Sequence, residues 1–535
     1  MILETSHLKN EETGLSISNK MGKYLFVAGF PGPYALGMAN LGYQSVIKAV
    51  YDTPNWRIER FFSDTGIRTI ERKHRLNDAD IIGFTVGYEI EIFSLIHLLQ
   101  STGIPVFSHE RSGNQPNVMI GGPLAGLNPE ILAPFADIIF VGESEEVLPN
   151  LLAAWEESCA LGLTRREILV YLSRFPGVYI PQFYYPRYRS SMLVGFERES
   201  FVPETVQRQW VDINGFETRT QIYSPRSYFK NMGLMEISRG CQYRCRFCAG
   251  NVLYRPLRQR SLGSVIAMID RLRGFTSHLG IVGADVLSHP EWKEIMDYVI
   301  HKSLTMNFSS LSAVTLSRHM DYLPYLVDLG VRTVTLAPES GDQLAREYFG
   351  KALDDEKWIH LTQQIVDLGI PKIKFYFMLG KTTNPAEKDL DFLDELCRKT
   401  ASHDRLMVSY SFLVPKPHTQ FEATEALSLS EWKKEKEVFE KGLKKMKIRF
   451  SGESLRVAWV ELLLARGDRQ IAQALPSLIN RGNGLVFEHW QSVLQGLGRD
   501  VEQWPRLPWK NSVFPWSIID NGKGKTYCKT GKGLG

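Results

Sequence analysis

Cysteine is scarce in this chain, which has six among its 535 residues, and Cys159, Cys397 and Cys528 follow no spacing pattern. A disulfide framework is therefore not expected, and a reducing compartment is indicated. A surplus of one charge is also missing, since 63 Lys and Arg residues stand against 59 Asp and Glu residues. The resulting formal charge of +4 is too small over this length to argue for a nucleic-acid partner.

Long apolar runs are absent as well. No run approaches the ~18 residues that span a bilayer, so we expect no membrane span. The first residues, MILETSHLKNEETG, lack the basic start and apolar centre of a secretion signal, and we therefore expect a cytoplasmic protein. The chain does have 44% hydrophobic and 11% aromatic residues, which is enough for large cores, and its length predicts two to four domains.

Residues 23–155 predict a Rossmann-like, doubly wound parallel sheet. Short apolar runs alternate there with helix-like stretches: YLFVAGF, RIERFF, DIIGFTV, NVMIGG and DIIFVGE. Runs of this length, each followed by an amphipathic segment, are typical of strands buried between helices. Ligands bind at the carboxyl ends of such strands, so the crevice loops are predicted at 29–37, 83–89, 121–126 and 141–146.

The rest of the chain divides by its patterns, and the predicted fold class is α/β throughout. Residues 232–421 contain six further strand and helix units, which predict a partial (β/α)6 barrel with functional residues at the carboxyl ends of its strands. Residues 422–515 predict a small, mainly helical region that begins with a capping box of Ser428 and Glu431. The remaining segments are predicted as a polar leader (1–22), a connecting segment (156–231) and a basic, flexible tail (516–535).

Three of the six cysteines lie within eight positions, in the stretch GCQYRCRFCAG. Cys241, Cys245 and Cys248 follow the spacing C-x3-C-x2-C, with which three thiolates can hold one face of an iron-sulfur cluster. A structural zinc site would take a fourth Cys or His close by, and the following residues, AGNVLYRPLRQRS, supply none. The pattern therefore favours a cluster with one metal corner open to a reactive ligand, and a zinc knuckle is the alternative.

This loop, with Phe247 before its last cysteine and the stretch LMEISRG in front, resembles the cluster loop of radical S-adenosylmethionine (SAM) enzymes. The resemblance implies a 4Fe-4S cluster whose open iron is chelated by SAM, and reductive cleavage of SAM to methionine and a 5′-deoxyadenosyl radical. It also implies a partner that donates the electron, of the flavodoxin or ferredoxin type. The stretch VPKPHT carries the same resemblance, and we expect His418 within it to shape the rim by hydrogen bonding rather than to act as a base.

The resemblance also assigns SAM-binding residues to the ends of the barrel strands. The candidates are Gly283, Asp285, Ser309, Ser310, Glu339, Arg258 and Arg260. At Asp285, in IVGADVLSHPE, the sequence departs from the Gly-Gly-Glu that is usual in the family. Glu339 is placed to take the ribose hydroxyls, and Arg258 or Arg260 to pair with the SAM carboxylate, because a guanidinium fits a carboxylate bidentately. An ordinary structural role is the alternative for each.

The N-terminal sheet resembles the cobalamin-binding-type domain that precedes the barrel in one class of radical SAM enzymes. The turns with Gly121 and Gly122 and with Gly142 and Glu143 occupy the expected places, and glycines let the backbone approach a bulky ligand. The loop GFPGPYALGMANLG has no histidine, whereas many cobalamin proteins have Asp-x-His-x-x-Gly there. Two hypotheses stay open: cobalamin is bound without a histidine ligand, or the domain has lost cobalamin and keeps a structural role.

The favoured function is radical SAM chemistry, in the form of cobalamin-dependent C-methylation or a related radical rearrangement of an unidentified substrate. RNA modification is an alternative because the barrel segments also resemble methylthiotransferases, but the front domain has no cysteine before Cys159 for a second cluster. A non-catalytic iron-sulfur or cobalamin sensor is another. Near the C-terminus, Arg466, Asp468 and Arg469 are predicted to form internal ion pairs, the alternative being an anion site.

Overall fold

A computed structural model of the chain describes residue 3 and residues 8–351, 353–380, 386–480, 484–506 and 513–522. Strands and helices alternate along most of this length, and most of the longer strands belong to two parallel arrays. The arrangement confirms the predicted α/β fold, with a Rossmann-like sheet in front and a partial barrel behind it. No helix within these ranges has both the length and the apolar character that crossing a membrane requires.

The N-terminal sheet contains every strand that the apolar runs predicted. Its strands within the described ranges are β1 (Tyr24–Phe30), β2 (Trp56–Phe62), β3 (Ile81–Thr85), β4 (Asn117–Gly121), β5 (Ile138–Phe140) and β6 (Val178–Tyr179). Their order is β2-β1-β3-β4-β5-β6, and all pairs are parallel except β5 with β6. β1 is buried along its whole length, as expected for a central strand with both faces covered. The order reverses between β1 and β3, which opens a crevice at their carboxyl ends.

Helices connect these strands, and polar side chains cap the first turns of the helices that begin at Leu41 and Arg165. The longer ones are α1 (Leu41–Asp52), α2 (Glu91–Thr102), α3 (Val147–Ala160) and α4 (Arg165–Leu172). Asn40 begins α1 by accepting a hydrogen bond from the backbone N–H of Tyr43, which fixes the end of the loop after β1. The short helix Pro123–Leu127 follows β4 almost directly, so its first residues lie at the carboxyl edge of the sheet.

The N-terminal segment packs onto this domain. Leu8 is buried, and the strand Thr13–Gly14 pairs with Ile222–Tyr223 of the connecting segment. Glu12 accepts two hydrogen bonds, of 2.6 and 2.7 Å, from the guanidinium of Arg60, which is only 1% exposed. Because these partners lie far apart in the chain, composition alone gives no sign of the contacts.

The connecting segment contains a hairpin of β7 (Tyr184–Arg189) and β8 (Met192–Arg198). Further along it, Val206–Gln207 pairs with Ile519–Asp520, so the described end of the chain returns to this segment. The predicted flexible tail began at residue 516, and its residues 523–535 lie outside the described residues.

The described part of the barrel is made of two parallel sheets. Their strands are β9 (Met232–Glu236), β10 (His278–Val282) and β11 (Thr305–Phe308) in one, and β12 (Thr333–Glu339), β13 (Lys372–Leu379), β14 (Leu406–Phe412) and β15 (Arg449–Gly452) in the other. Strands β9 to β14 are the six predicted ones. β15 is additional and pairs in parallel with β14, inside the region that the sequence predicted as mainly helical.

Helices pack along the barrel strands and form most of the C-terminal region. Those of the barrel are α5 (Leu262–Leu272), α6 (Trp292–His301), α7 (Ala313–Arg318), α8 (Leu323–Asp328), α9 (Gln343–Phe349), α10 (Asp355–Asp367) and α11 (Ala386–Thr400). The C-terminal region has α12 (Leu429–Lys445), α13 (Leu455–Ala465), α14 (Arg469–Asn480) and α15 (Phe487–Gly496). The predicted capping box of Ser428 and Glu431 is present at the start of α12.

Ion pairs attach the C-terminal region to the rest of the molecule. Asp468 pairs with Arg499 at 2.6 Å, and Arg469 pairs with Glu130 of the N-terminal domain at 2.9 Å. Arg466 is fully buried and donates to backbone carbonyl oxygens. Asp468 and Arg469 are therefore in internal ion pairs as predicted, with partners outside the motif, whereas the described contacts of Arg466 are hydrogen bonds to the backbone and not an ion pair within the motif.

A second charged cluster joins the N-terminal domain, the loop after β14 and α13. Lys416 Nζ lies 2.5 Å from Glu89 Oε1 and 2.6 Å from Glu461 Oε1, and the hydroxyl of Tyr88 donates to Glu461. Burial, and then the neighbouring Glu461, raise the pKa of Glu453 to about 7. This group of charged side chains therefore contains more carboxyl groups than cations, and the carboxyl group of Glu453 is partly protonated near neutral pH.

We expect Glu453→Gln to be more stable than the wild type above about pH 7, by about 1 kcal/mol. The pKa of this carboxyl rises from its ordinary 4.5 to about 7 on folding, so the folded state binds more protons than the unfolded state between these values. The contribution of Glu453 to the free energy of unfolding therefore decreases as the pH rises through that window. The amide of Glu453→Gln does not titrate, so the variant should not show this decrease. Thermal unfolding at about pH 5 and pH 8 checks this, with Glu437→Gln on the exposed face of α12 as the control. Parallel pH profiles for wild type and Glu453→Gln would contradict it.

Candidate active site

A cavity of about 900 Å³ lies where the carboxyl ends of the two parallel arrays meet. The N-terminal domain contributes the ends of β3, β4 and β5 with the loops that follow them. The barrel contributes the three-cysteine loop and the ends of β10, β11 and β12. Cofactors and substrates bind at this edge of parallel sheets.

The cavity brings together most of the residues that the sequence predicted for the site. Those that line it are Cys241, Cys245, Cys248, Gly283, Ser309, Ser310, Glu339, Gly121, Gly122, Gly142 and Glu143. Asp285, Arg258 and Arg260 are not among the lining residues. The predicted cluster, SAM and cobalamin-type residues therefore share a single space, although they come from segments more than 200 positions apart.

The cysteine loop follows β9 and is held against the end of α9. The backbone N–H of Arg246 donates to the carbonyl of Phe349 at 3.0 Å. Gly350 has a φ of +79°, and a Cβ there would lie 3.1 Å from the carbonyl oxygen of Arg244, so a side chain would press on the loop. The sulfur of Cys245 lies 4.0 Å from the Gly350 carbonyl oxygen. These contacts fix the loop at the cavity wall.

The three thiols influence one another without forming a single-ion site. Burial raises the pKa of Cys241, and burial raises the pKa of Cys245 to about 11, with the other thiols adding to both effects. Among the described residues, no three His, Cys, Asp or Glu side chains are arranged to hold a single metal ion, as structural zinc requires. A cubane is wider than one ion, and its positive irons would stabilise the thiolates that burial disfavours. The thiols therefore fit an iron-sulfur cluster.

Asp285 supports the cysteine loop from behind the cavity wall. Its Oδ2 accepts hydrogen bonds of 2.8 Å from Gln242, next to Cys241, and from Thr315. The side chain is 3% exposed, burial raises its pKa, and within the described residues its Oδ1 has no hydrogen-bond partner. Tyr243 donates to or accepts from Thr315 at 2.9 Å, which adds a second attachment. The predicted contact of Asp285 with SAM stays a prediction, and its observed contacts are with the loop.

Glu339 ends β12 in a strained conformation beside a cation that the sequence did not indicate. Its φ is +63°, in the left-handed region that costs free energy for a residue with a side chain and is frequent at functional sites. Its Oε1 lies 2.6 Å from Lys351 Nζ, which also donates to the carbonyl of Ala337 at 3.0 Å. Although burial opposes its charge, the pKa of Lys351 is raised by Glu339 and by the thiols of Cys245 and Cys248. Lys351 therefore places a positive charge between the cysteine loop and Glu339.

Arg258 and Glu143 bind each other across the junction of the two domains. Two hydrogen bonds of 2.6 Å join the guanidinium of Arg258 to the carboxylate of Glu143. Arg239, at the barrel end, also contacts Glu143 at 3.1 Å and binds Glu236 at 2.7 Å. Although burial alone raises it, the pKa of Glu143 is lowered by these two arginines. Arg260 is buried and donates to backbone carbonyls, so neither predicted arginine is free to pair with SAM in this arrangement.

The glycines of the N-terminal wall have separate roles. A Cβ at Gly122, whose φ is +101°, would lie 2.6 Å from the carbonyl oxygen of Val86, and one at Gly142, whose φ is +116°, would lie 2.2 Å from that of Gln209. These two glycines are therefore required by the backbone. At Gly121, by contrast, the nearest atom to a Cβ would be 3.9 Å away, so a side chain would extend into cavity space.

The parallel barrel, its open three-cysteine loop and the Rossmann-like domain in front define an iron-sulfur enzyme of a known class. The family model described as "Radical SAM proteins, N-terminal" matches residues 42–181, and the one described as "Radical SAM superfamily" matches residues 235–393. These two matches together cover more than half of the chain, which is a radical SAM enzyme with the N-terminal domain found in that class. The class uses a 4Fe-4S cluster and SAM and requires a reductant, which confirms the predicted class of enzyme together with its cluster and SAM. The methyl transfer and the substrate stay predictions.

Three individual proteins are also similar to this chain. An uncharacterized protein of Methanocaldococcus jannaschii, MJ0966, is 28% identical over 421 residues, which cover 77% of this chain and 83% of the relative. The cobalamin-dependent SAM radical enzyme OxsB, solved with aqua-cobalamin and SAM, has a TM-score of 0.50 and 14% identity over 90% of this chain and 74% of its own. The methyltransferase TsrM of Kitasatospora setae, solved with cobalamin and a 4Fe-4S cluster, has a TM-score of 0.48 and 14% identity over 75% and 74%. The similarity to OxsB shows a shared fold.

Proposed function

We propose that the protein transfers a methyl group from cobalamin to an unactivated carbon of its substrate, using the radical that SAM cleavage provides. The observation that carries this proposal is the shared cavity of about 900 Å³, which has the cysteine loop on one wall and the carboxyl edge of a cobalamin-binding-type sheet on the other. Binding of cobalamin by the similar enzymes OxsB and TsrM supports the same reading.

The residues of the cavity fit each cofactor. Cys241, Cys245 and Cys248 supply the soft thiolates that a 4Fe-4S cluster takes, and the proposed SAM contacts are Gly283, Ser309, Ser310 and Glu339. Gly121 leaves the backbone open toward a large planar ligand, whereas Gly122 and Gly142 also line the cavity but are fixed by close contacts with Val86 and Gln209. None of the described residues that line the cavity is a histidine, so we propose that cobalamin is held without a histidine ligand. When bound, the cluster and SAM supply a hydrogen-abstracting radical, and cobalamin supplies the methyl group.

The chain's own side chains orient the reactants and keep water away. Phe26, Phe84, Phe140 and Phe308 line the cavity, and such apolar walls limit the loss of a reactive radical to solvent. Charged groups are placed at the edges, where Lys351 fixes the carboxylate of Glu339. Substrate orientation by fixed side chains is the main contribution that a protein makes to cofactor chemistry.

We expect Lys351→Met to weaken SAM binding about tenfold, because Glu339 loses the cation that orients it, and a charge-assisted hydrogen bond is worth about 1.5–3 kcal/mol. Lys351→Arg keeps the charge and should lose less. Equilibrium dialysis of labelled SAM against reconstituted protein measures the effect, and iron content shows whether the cluster is intact. Equal SAM affinity in wild type and Lys351→Met at equal iron content would show that this cation has no role in SAM binding.

Anaerobic purification from cobalamin-fed cells tests the proposed function. We expect a corrinoid absorption spectrum at about one equivalent in the wild type and its loss in Gly121→Leu, whose side chain would fill the cavity without a backbone clash. Gly263→Leu is the matched control, because a Cβ at this exposed position has no atom within 4 Å. The proposal would be overturned if the wild-type protein cleaved SAM but contained no corrinoid.

A further inference from the structure

We propose that the outer face of the cysteine loop is the docking surface for an acidic one-electron carrier protein. The surface, called here the outer loop face, consists of Arg244, Arg246, Leu344 and Tyr348. The inference rests on the proposed function, because only reductive cleavage of SAM requires an electron at this place. One electron passes from the reduced carrier to the oxidised cluster, so the carrier is oxidised as the cluster is reduced.

The outer loop face lies next to the cluster ligands and outside the cavity. Arg244 and Arg246 flank Cys245 in the chain, and both are exposed, yet neither lines the cavity. Leu344 and Tyr348 belong to α9, are 71% and 45% exposed, and do not line it either. Since Arg246 and α9 are joined by the backbone hydrogen bond to Phe349, the two halves form one continuous surface.

Two features make this surface suited to a protein partner. The guanidinium of Arg246 lies over the ring of Tyr348, with its carbon 5.3 Å from the ring centre, and Tyr348 stacks on Phe421 at 5.2 Å. The aromatic ring is therefore held in place although it is exposed. Aromatic residues and arginines are enriched at the centres of protein interfaces, and Tyr348 and Arg246 are of these types. The exposed Leu344 adds apolar surface beside them.

The charge of the outer loop face selects an acidic partner. Within the part of the chain that the structure describes, neither Arg244 nor Arg246 is in an ion pair, whereas Arg239 and Arg258 nearby are held by carboxylates. Glu347 lies on the same face of α9 and keeps its negative charge, because its hydrogen bond of 3.1 Å comes from the neutral amide of Gln343. The two arginines outweigh this one carboxylate, so a net charge of +1 remains. Complementary charge increases association rates. Arg244 and Arg246 can contact carboxylates of a partner without first breaking an ion pair within this protein.

The carrier also gains a short route to the cluster at this surface. Arg244 and Arg246 are bonded directly to Cys245, so a protein that contacts their side chains lies against the loop that holds the iron. Entry through the cavity would require the carrier to displace SAM and substrate. The outer loop face therefore allows reduction while the cavity is loaded.

The test compares protein-driven and chemical reduction of the reconstituted enzyme. Stopped-flow absorbance follows cluster reduction by reduced flavodoxin at low salt, and 5′-deoxyadenosine is measured with flavodoxin or with dithionite. For Arg244→Glu with Arg246→Glu, we expect flavodoxin-driven reduction to slow about tenfold or more and to lose its salt dependence. Dithionite-driven cleavage should remain. Lys434→Glu with Lys441→Glu, on the exposed side of α12, changes the net charge equally and should leave both rates unchanged.

The outcomes separate this inference from the proposed function. A wild-type flavodoxin rate in the double variant would overturn the docking surface and leave SAM cleavage established. Absence of dithionite-driven cleavage in the wild type would instead overturn the function. Where the double variant loses iron, Leu344→Glu gives the same test from outside the cysteine loop, and an unchanged flavodoxin rate in that variant overturns the docking surface.

Discussion

Cys245→Ala is expected to abolish formation of 5′-deoxyadenosine from SAM under reducing conditions. We propose that the three cysteines hold a cluster at the cavity wall, so the loss of one would leave two thiolates for a site that needs three. Cys245 is the middle ligand, and its neighbours in the loop are attached to Phe349 and Gly350, so the variant keeps its surroundings. The product is measured by chromatography after anaerobic reconstitution, together with iron and sulfide content.

Cys159→Ala is the matched control for this prediction. Cys159 is a half-buried free thiol on α3 and is not among the residues that line the cavity. The control should retain both the cluster and the product. Unchanged product formation by Cys245→Ala would contradict the assignment of the cluster to this loop, and with it the class of chemistry proposed for the cavity.

Glu143→Gln is expected to reduce the free energy of unfolding by about 3–5 kcal/mol, the usual cost of leaving a buried charge without its partner. Glu143 is 6% exposed and holds Arg258 through two hydrogen bonds of 2.6 Å, with Arg239 at 3.1 Å. The amide cannot balance either guanidinium. Because Glu143 belongs to the N-terminal domain and both arginines to the barrel side, thermal unfolding should show weaker coupling of the two domains.

Glu395→Gln provides the comparison at the surface. Glu395 pairs with Lys399 at 2.6 Å on α11, and both side chains are more than 40% exposed, so its loss should cost less than about 1 kcal/mol. The two variants also separate the roles proposed for Glu143. A lower corrinoid content with unchanged stability in Glu143→Gln would show that this carboxylate contacts the ligand and is not an interdomain brace.

The parts of the fold that are encoded locally could be predicted from the sequence. Strands β1 to β5 and β9 to β14 were found because each is a short apolar run, a pattern that burial in a parallel sheet produces. The cluster loop was found because its ligands are adjacent in the chain. β15 could not be predicted, because its residues, RFSG, are mostly exposed and have no apolar pattern. Only its pairing with β14 defines it as a strand.

The rest of the site depends on contacts between distant segments. Arg258 was assigned to SAM from its position after the cysteine loop, whereas its guanidinium binds Glu143, which lies 115 positions earlier. Lys351 could not be predicted, because it belongs to the site only through its ion pair with Glu339 at the end of β12 and its position near the cysteine loop. No sequence spacing relates these segments. Asp285 was placed correctly after β10, but its bonds to Gln242 and Thr315 are visible only in three dimensions.

The measurement that tests the central claim most directly is SAM cleavage by the wild-type protein with its cluster reconstituted and reduced by dithionite. The account predicts 5′-deoxyadenosine and methionine in equal amounts, together with an electron paramagnetic resonance signal of the reduced cluster that changes when SAM is added. A cluster that is intact and reducible, and that leaves SAM uncleaved in the presence of cell extract as a source of substrate, would contradict it and identify the protein as a non-catalytic sensor.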